Sequence, residues 1–214
     1  MRITRTKQYM EERARQTLCQ ACGYHADDLF CADKPDIQDR NEKFGIEVVQ
    51  DIEEDERQRE VFIEQVWEKP YDQIDPKKIA RFQSTGGKIS KVEDNKIRFA
   101  IIGKEKPNIP EHLIKTIKKK VDLLNQEHYK YFDSYGLYVF VETVSIDEGF
   151  DSYVLSVIES VSSYGQKMNF HMLFLDYDYG ICVCDLVRQD FERFPISYQM
   201  QDSIRKETQK TWQC

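Results

Sequence analysis

The sequence predicts an α/β protein whose mixed central sheet is flanked by helices. Segments with helical spacing of apolar residues alternate with short runs rich in β-branched residues, an order that favours an α/β sandwich. The 214 residues are enough for one large domain with a core of its own. A charged fraction of 32% beside 40% hydrophobic residues is typical of a folded chain rather than a disordered one.

The first part of the chain predicts a helix followed by a hairpin. Residues 4–20 carry an apolar stripe without proline or glycine, which predicts a helix. An irregular segment follows, and Pro35 biases Lys34 toward extended geometry, so we expect a strand to begin at Asp36. A polar turn separates this strand from the β-branched run FGIEVVQ at 44–50, which predicts a buried strand and completes the hairpin.

The rest of the chain continues this alternation. The segment from 71 to 85 is ambiguous, and the polar tail from 201 onward is expected to fray. The other predicted elements are a charged surface helix at 53–68, a second hairpin at 88–103, a helix at 110–127, a strand at 136–144, a helix at 150–161, and two antiparallel strands at 171–178 and 181–187.

Two carboxylates of the first hairpin indicate a site for a divalent cation. Asp36 begins one strand and Glu47 lies inside the next, so both would reach one end of the sheet, where a backbone carbonyl could add a third oxygen. Glu47 interrupts an apolar run, and an unpaired buried charge costs on the order of several kcal/mol. Mg²⁺ is commonly bound by one or two carboxylates with water, and it activates water against a phosphate. The alternative is that Asp36 is a turn residue and Glu47 a solvated or salt-bridged strand residue.

The segment KPDI at 34–37, followed by a turn and GIEVVQ at 45–50, resembles the Asp…Glu hairpin of PD-(D/E)XK nucleases, particularly small members with a PD…GIEV-type hairpin. The resemblance covers about half of the chain. It implies a restriction-endonuclease-like core (α-β-β-β-α-β) in residues 1–144, with an insertion at about 70–108. Residues 145–214 would then form a C-terminal α-β-β extension packed on the same domain.

The same resemblance implies a set of metal ligands. Asp36 and Glu47 match the family's metal-binding aspartate and glutamate, with Mg²⁺ or Mn²⁺ as the cofactor. Glu12, or its neighbour Glu11, matches the additional glutamate that some members place near the metal from the first helix.

The chain departs from the family pattern at position 49, where the family's lysine is replaced by Val49. Catalysis would then depend on another group. Gln50 could contact the water or the phosphate, or a lysine of the helix at 110–127 could reach the site, as in some members of the family. Lys120 lies at the edge of the apolar stripe of that helix and is the first candidate.

A second constellation could bind zinc. Cys19, Cys22, His25 and Cys31 have the spacing C-x2-C-x2-H-x5-C, and these four ligands could close a structural tetrahedral Zn²⁺ site. The alternative is that the cysteines are small core residues and the histidine a polar loop residue. We expect no secretion signal, because no apolar run follows the basic N-terminal residues, and we therefore favour reduced thiols over a disulfide framework.

The formal charge of −7 argues against a protein that coats nucleic acid by charge alone, although basic residues are concentrated in KTIKKK at 115–120. The leading hypothesis is a metal-dependent endonuclease, with DNA favoured over RNA, in a mobile-element or phage-defence setting. The alternatives are a catalytically inactive protein of the same fold that acts as a binding or assembly module, and a zinc-braced protein that binds a protein partner. We expect a cytoplasmic protein without a membrane span, because no segment approaches roughly 18 apolar residues. A homodimer is left open.

Overall fold

A computed structural model describes residues 7–52, 54–66, 69–93, 95–100, 111–126, 129–141, 149–177 and 179–212. The chain divides into two compact units. The main unit comprises Met1–Asp51 and Asn108–Cys214, and the inserted unit comprises Ile52–Pro107.

The helices and strands follow one another in a regular order. They are α1 (Lys7–Ala21), β1 (Leu29–Cys31), β2 (Ile37–Asp39), β3 (Phe44–Asp51), α2 (Glu54–Val66), α3 (Pro76–Ser84), β4 (Lys88–Glu93), β5 (Lys96–Ala100), α4 (Glu111–Gln126), β6 (Ser134–Val141), α5 (Phe150–Ser162), β7 (Met172–Asp176), β8 (Gly180–Asp185), β9 (Asp190–Pro195) and α6 (Tyr198–Trp212). A short 3-10 helix at Tyr71–Gln73 precedes α3.

The main unit is built on a mixed 7-stranded sheet with the order β1-β2-β3-β6-β7-β8-β9. The three central strands β3, β6 and β7 are parallel, while β1-β2-β3 and β7-β8-β9 are antiparallel meanders. Parallel neighbouring strands need a crossover connection. Each connection here contains a helix, because α4 precedes β6 and α5 precedes β7.

Helices cover both faces of this sheet. Alternate residues of a strand point to opposite faces, and in β6 Leu137 and Val139 join a core with α4 and α5, whereas Tyr138 and Phe140 join a core with α1 and α6. A central strand buried on both faces explains why the β6 sequence is apolar almost throughout. Among the described residues, no helix is both long enough and apolar enough to cross a membrane.

The inserted unit contains α2, α3 and the two-stranded sheet β4-β5, with a small core of its own. The rings of Phe62 and Phe82 stack in that core at a centroid distance of 4.4 Å. Asp75 caps α3 by accepting a hydrogen bond from the backbone N–H of Lys77, and Pro76 occupies the first turn. Gly86, with a φ of +86°, follows the end of α3 in a left-handed conformation that suits glycine.

The structure confirms the predicted α/β class with a mixed central sheet, and it contains both predicted hairpins. The predicted fraying of the tail is wrong, because α6 buries Ile204 and Thr208. The residue pattern assigned no segment to the edge strands β1 and β9, and the ambiguous segment at 71–85 forms the 3-10 helix and α3. The inserted unit begins at Ile52, earlier than the predicted insertion at about 70–108.

Candidate active site

Asp36 and Glu47 lie side by side where β2 begins. The register pairs Ile37 with Ile46, so the preceding residue Asp36 lies opposite the following residue Glu47. Both are buried, at 1% and 8% exposure. The backbone N–H of Val48 donates to Oδ2 of Asp36 at 2.8 Å, which fixes this carboxylate against β3.

Lys120 of α4 reaches Glu47 from above the sheet. Because β3 and β6 are in register, with Glu47 beside Leu137 and Val49 beside Val139, Glu47 projects toward the face that α4 covers. The Nζ of Lys120 donates to Oε1 of Glu47 at 2.8 Å. Oε2 of Glu47 is buried and has no hydrogen-bond partner among the residues that the structure describes.

These positions shape the electrostatics of the pair. Burial raises the pKa of Glu47, the negative charge of Asp36 raises it further, and the Lys120 ammonium opposes both. Of these influences the Lys120 ammonium favours the ionised form of Glu47, and Oε2 is the carboxylate oxygen that this ammonium leaves without a partner among the described residues.

Glu11 and Lys7 of α1 complete the acidic cluster. The Nζ of Lys7 lies 2.9 Å from Oδ1 of Asp36 and 3.3 Å from Oε1 of Glu11, so one ammonium bridges the two carboxylates. The hydrogen bond to Asp36 raises the pKa of Lys7. Burial and the charge of Asp36 raise the pKa of Glu11 to about 7. The carboxylates of Asp36 and Glu11 can therefore bind a cation, and in this structure that cation is the Lys7 ammonium.

Two of the predicted site residues, Glu12 and Gln50, do not face the Asp36–Glu47 pair. Glu12 accepts hydrogen bonds from the Arg15 guanidinium at 2.7 and 2.9 Å and from Gln16 at 2.9 Å. Burial opposes its ionisation, but these donors hold the pKa of Glu12 below its ordinary value. Strand alternation places Gln50 on the face of Ile46, opposite Glu47. Of the two predicted glutamates, Glu11 rather than Glu12 approaches Asp36.

The cysteine cluster does not converge. Cys31 Sγ lies 3.5 Å from Oε2 of Glu12, while Cys19 and Cys22 pack against the core beneath α1 and α6. Burial raises the pKa of both Cys22 and Cys31 to about 12. In the described part of the chain, no three His, Cys, Asp or Glu side chains are arranged to hold a metal ion. In the described residues Cys19, Cys22, His25 and Cys31 are therefore not gathered into one metal-binding group, and the zinc site stays a prediction.

The acidic pair can still contribute to binding a hard cation. Mg²⁺ commonly takes one or two carboxylates and completes its octahedral shell with water and substrate oxygens. Asp36 and Glu47 supply two carboxylates, and the unpartnered Oε2 of Glu47 is an oxygen that burial makes costly to leave unsatisfied.

A second buried carboxylate on β3 was missed. Asp51 is fully buried on the α4 face, where its Oδ1 lies 2.6 Å from Nδ1 of His112 and accepts a hydrogen bond from Thr116 at 3.3 Å. His112, Thr116 and Lys120 are four residues apart and so share one side of α4. The sequence contained a signal for the contact between α4 and β3. Polar residues recur every four positions on one side of α4, and carboxylates lie four positions apart, at 47 and 51, on β3.

Comparisons with protein-family models, with curated proteins and with solved structures find no match to this chain.

Proposed function

We propose that the protein is a metal-dependent endonuclease that hydrolyses phosphodiester bonds of nucleic acid, with DNA favoured. The observation that carries the proposal is the buried Asp36–Glu47 pair with the Lys120 ammonium 2.8 Å from Glu47. Two carboxylates and one amine on the same side of a strand pair provide metal ligands and a cationic group for a phosphate.

The order of elements in the main unit supports a restriction-endonuclease-like core. A helix, α1, precedes the antiparallel strands β1, β2 and β3, and α4 then leads to β6, which pairs in parallel with β3. The remaining elements, from α5 to α6, would form the C-terminal extension.

Asp36 and Glu47 would hold Mg²⁺ or Mn²⁺, which when bound lowers the pKa of a water molecule and polarises the phosphate. Lys120 favours the ionised form of Glu47 and orients its carboxylate through the 2.8 Å contact. The same ammonium lies where it could contact a phosphate oxygen or the attacking water. Lys7 offsets part of the negative charge that Asp36 and Glu11 would present to a phosphate.

Lys120 also accounts for the departure at position 49. Val49 packs against the core on the α4 side of the sheet, two residues beyond Glu47. A lysine at position 49 would start from this same face, and α4 delivers an amine there from a different element. The proposal therefore assigns to Lys120 the role that the resemblance gives to a strand lysine, and it does not use Gln50.

A second candidate is a binding or assembly module of the same fold without catalysis. The Lys7 bridge favours it, because an ammonium 2.9 Å from Asp36 satisfies that carboxylate without a metal. The two candidates differ in whether a divalent cation displaces this ammonium.

A cleavage assay tests the proposal. Purified protein is incubated with plasmid DNA, single-stranded DNA or RNA in Mg²⁺, Mn²⁺ or EDTA. We expect metal-dependent cleavage that falls about 100-fold or more in Asp36→Asn, Glu47→Gln and Lys120→Met, because each removes a charge on which the transition state depends. Asp202→Asn and Lys206→Met are matched controls, since these residues form an exposed pair on α6.

Metal binding is measured separately by calorimetric titration of Mn²⁺. Asp36→Asn should abolish the binding heat, whereas Asp202→Asn should leave it unchanged. Equal cleavage by the wild type and by both carboxylate variants would refute the assignment of the site. Binding of the metal without cleavage of any substrate would favour the binding module.

A further inference from the structure

A groove with a volume of about 610 Å³ lies over β8 and β9 of the main unit, beside the residues that follow α1. All of its lining residues belong to the described part of the chain. Its floor consists of partly buried side chains that also pack against the core beneath α1 and α6, namely Cys22, Tyr24, Met172, Val183 and Phe194. An apolar floor in a concave site is the usual form of a binding site.

The charged side chains of this groove are mostly carboxylates. The register pairs Asp185 with Asp190, and alternation along β9 places Glu192 on the same face as Asp190. Arg188 is the only cation among the lining residues, and its Nε donates to Oδ2 of Asp185 at 2.8 Å. Asp190 and Glu192 are exposed and form no ion pair with a described residue. Three carboxylates against one guanidinium give the groove a net negative charge.

The groove borders an unpaired sheet edge. β9 is the last strand of the 7-stranded sheet, so alternate residues direct backbone N–H and C=O groups away from β8. The nearby cation Arg193 lies on the opposite face of β9, where it forms an ion pair with Asp151. An extended peptide binds such an edge through its backbone, and its alternate side chains then give specificity.

The charges of β9 disfavour a second copy of this chain as the added strand. A two-fold pairing of β9 with itself about Glu192 or about Arg193 places that residue opposite its own copy. Pairing about Phe191 places Asp190 opposite Glu192. Every central register therefore opposes like charges, which destabilises a strand pair.

We propose that β9 binds an extended basic segment of a partner protein as an additional antiparallel strand. Lysine or arginine side chains at alternate positions lie opposite Asp190 and Glu192, and an apolar side chain lies opposite Phe194 and enters the groove. From its N-terminus the segment has the pattern apolar-x-basic-x-basic. The interface does not depend on the proposed endonuclease, because β6, β7 and β8 separate β9 from β3.

The test uses the full chain and a fluorescent peptide of this pattern, Thr-Ile-Thr-Lys-Thr-Lys-Thr. Its anisotropy should show saturable binding with a Kd below about 1 mM. Asp190→Asn/Glu192→Gln should weaken binding about fivefold or more, because two cross-strand pairs of opposite charge are lost. Both substitutions keep the shape of exposed side chains, so this variant should fold. A peptide with threonine in place of isoleucine should also bind the wild type more weakly.

Matched controls separate strand addition from general attraction to an acidic protein. Asp202→Asn/Glu207→Gln removes two carboxylates of α6 and should leave the affinity unchanged. The peptide Thr-Ile-Thr-Lys-Lys-Thr-Thr has the same charge but turns one lysine to the other face, so it should bind more weakly. Two further peptides carry N-methyl groups at odd or at even positions. The set that faces β9 should abolish binding, whereas the set that faces solvent should not.

Each outcome decides the proposal. Absence of saturable binding to the wild type overturns it. Equal affinity for the peptides with alternating and adjacent lysines, or an unchanged affinity of Asp190→Asn/Glu192→Gln, overturns the placement of the basic side chains. Equal binding of the two N-methylated peptides overturns strand addition.

Discussion

Replacement of Lys120 by Met tests the central contact of the candidate site. The substitution keeps the aliphatic stem but removes the ammonium that lies 2.8 Å from Oε1 of Glu47. Glu47, whose Oε2 already lacks a hydrogen-bond partner among the described residues, then becomes a buried carboxylate without its nearby cation.

The size of the effect follows from burial. Removing one partner of a fully buried ion pair costs about 3–5 kcal/mol. The side chain of Lys120 is 22% exposed and that of Glu47 10%, so solvent reduces the expected loss of unfolding free energy to about 2–3 kcal/mol. In a chain of this length that loss corresponds to a decrease in Tm of roughly 4–12 °C.

Urea denaturation of the wild type, Lys120→Met, Glu47→Gln and the double variant measures the coupling. Glu47→Gln preserves the shape of the side chain and removes its charge, so Lys120→Met should cost less in that background. We expect an interaction energy of at least about 1 kcal/mol. Single-variant effects that add to within about 0.5 kcal/mol would refute the inference that the ammonium holds this carboxylate.

The effect of Lys120→Met should also depend on pH. The pKa of Glu47 is raised above its ordinary value of 4.5, so between those two values the folded state binds more protons than the unfolded state. Stability therefore falls as pH rises through that window. Loss of Lys120 raises the pKa of Glu47 further, and the destabilisation should be larger at pH 8 than at pH 5. A loss that is equal at both pH values would contradict this account.

Three further perturbations have defined outcomes. The pKa of Glu11 is raised to about 7 by burial and a neighbouring carboxylate, so between pH 4.5 and 7 the folded state binds more protons than the unfolded state. The stability of the wild type in EDTA should therefore fall as pH rises from 4.5 to 7. Urea denaturation of Glu11→Gln should show a smaller fall. The pKa of Cys31 is raised to about 12 by burial and by Glu12, so its alkylation at pH 8, followed by mass spectrometry, should be slower than that of free cysteine. Glu12→Gln should accelerate the alkylation. An unchanged rate would count against the contact between Cys31 and Glu12. A Cβ on Gly45 would overlap Cγ of Pro35, so Gly45→Ala should lower the unfolding free energy by about 1–3 kcal/mol. An unchanged Tm would show that the proline moves at little cost.

The sequence predicted those helices and strands whose apolar residues are buried in the core. The run at 44–50 and the strand at β6 are apolar because helices cover both faces of the central sheet. The helix α6 carries a weaker signal, since its buried positions include the polar Thr208 alongside Ile204. The edge strand β9 is mostly exposed and has no apolar alternation to detect.

The candidate site was also only partly predictable from the sequence. Strand pairing alone was enough to predict that Asp36 and Glu47 are neighbours, because a hairpin that buries Ile37 against Ile46 leaves these carboxylates side by side. The choice between Glu11 and Glu12 could not be made from sequence. Adjacent helical residues differ by about 100° in direction, and the rotation of α1 on the sheet is set by tertiary packing.

The missed contact of Asp51 explains how Lys120 reaches Glu47. His112 and Lys120 are eight residues apart, a rise of roughly 12 Å along a helix, while Asp51 and Glu47 are four residues apart, or roughly 13 Å along a strand. His112 pairs with Asp51 and Lys120 with Glu47, so α4 runs antiparallel to β3 with two matched contacts. One contact alone would allow α4 to slide or rotate. Because the two spacings agree, the Asp51 contact at one end fixes the register that brings the Lys120 amine to the carboxylate at the other.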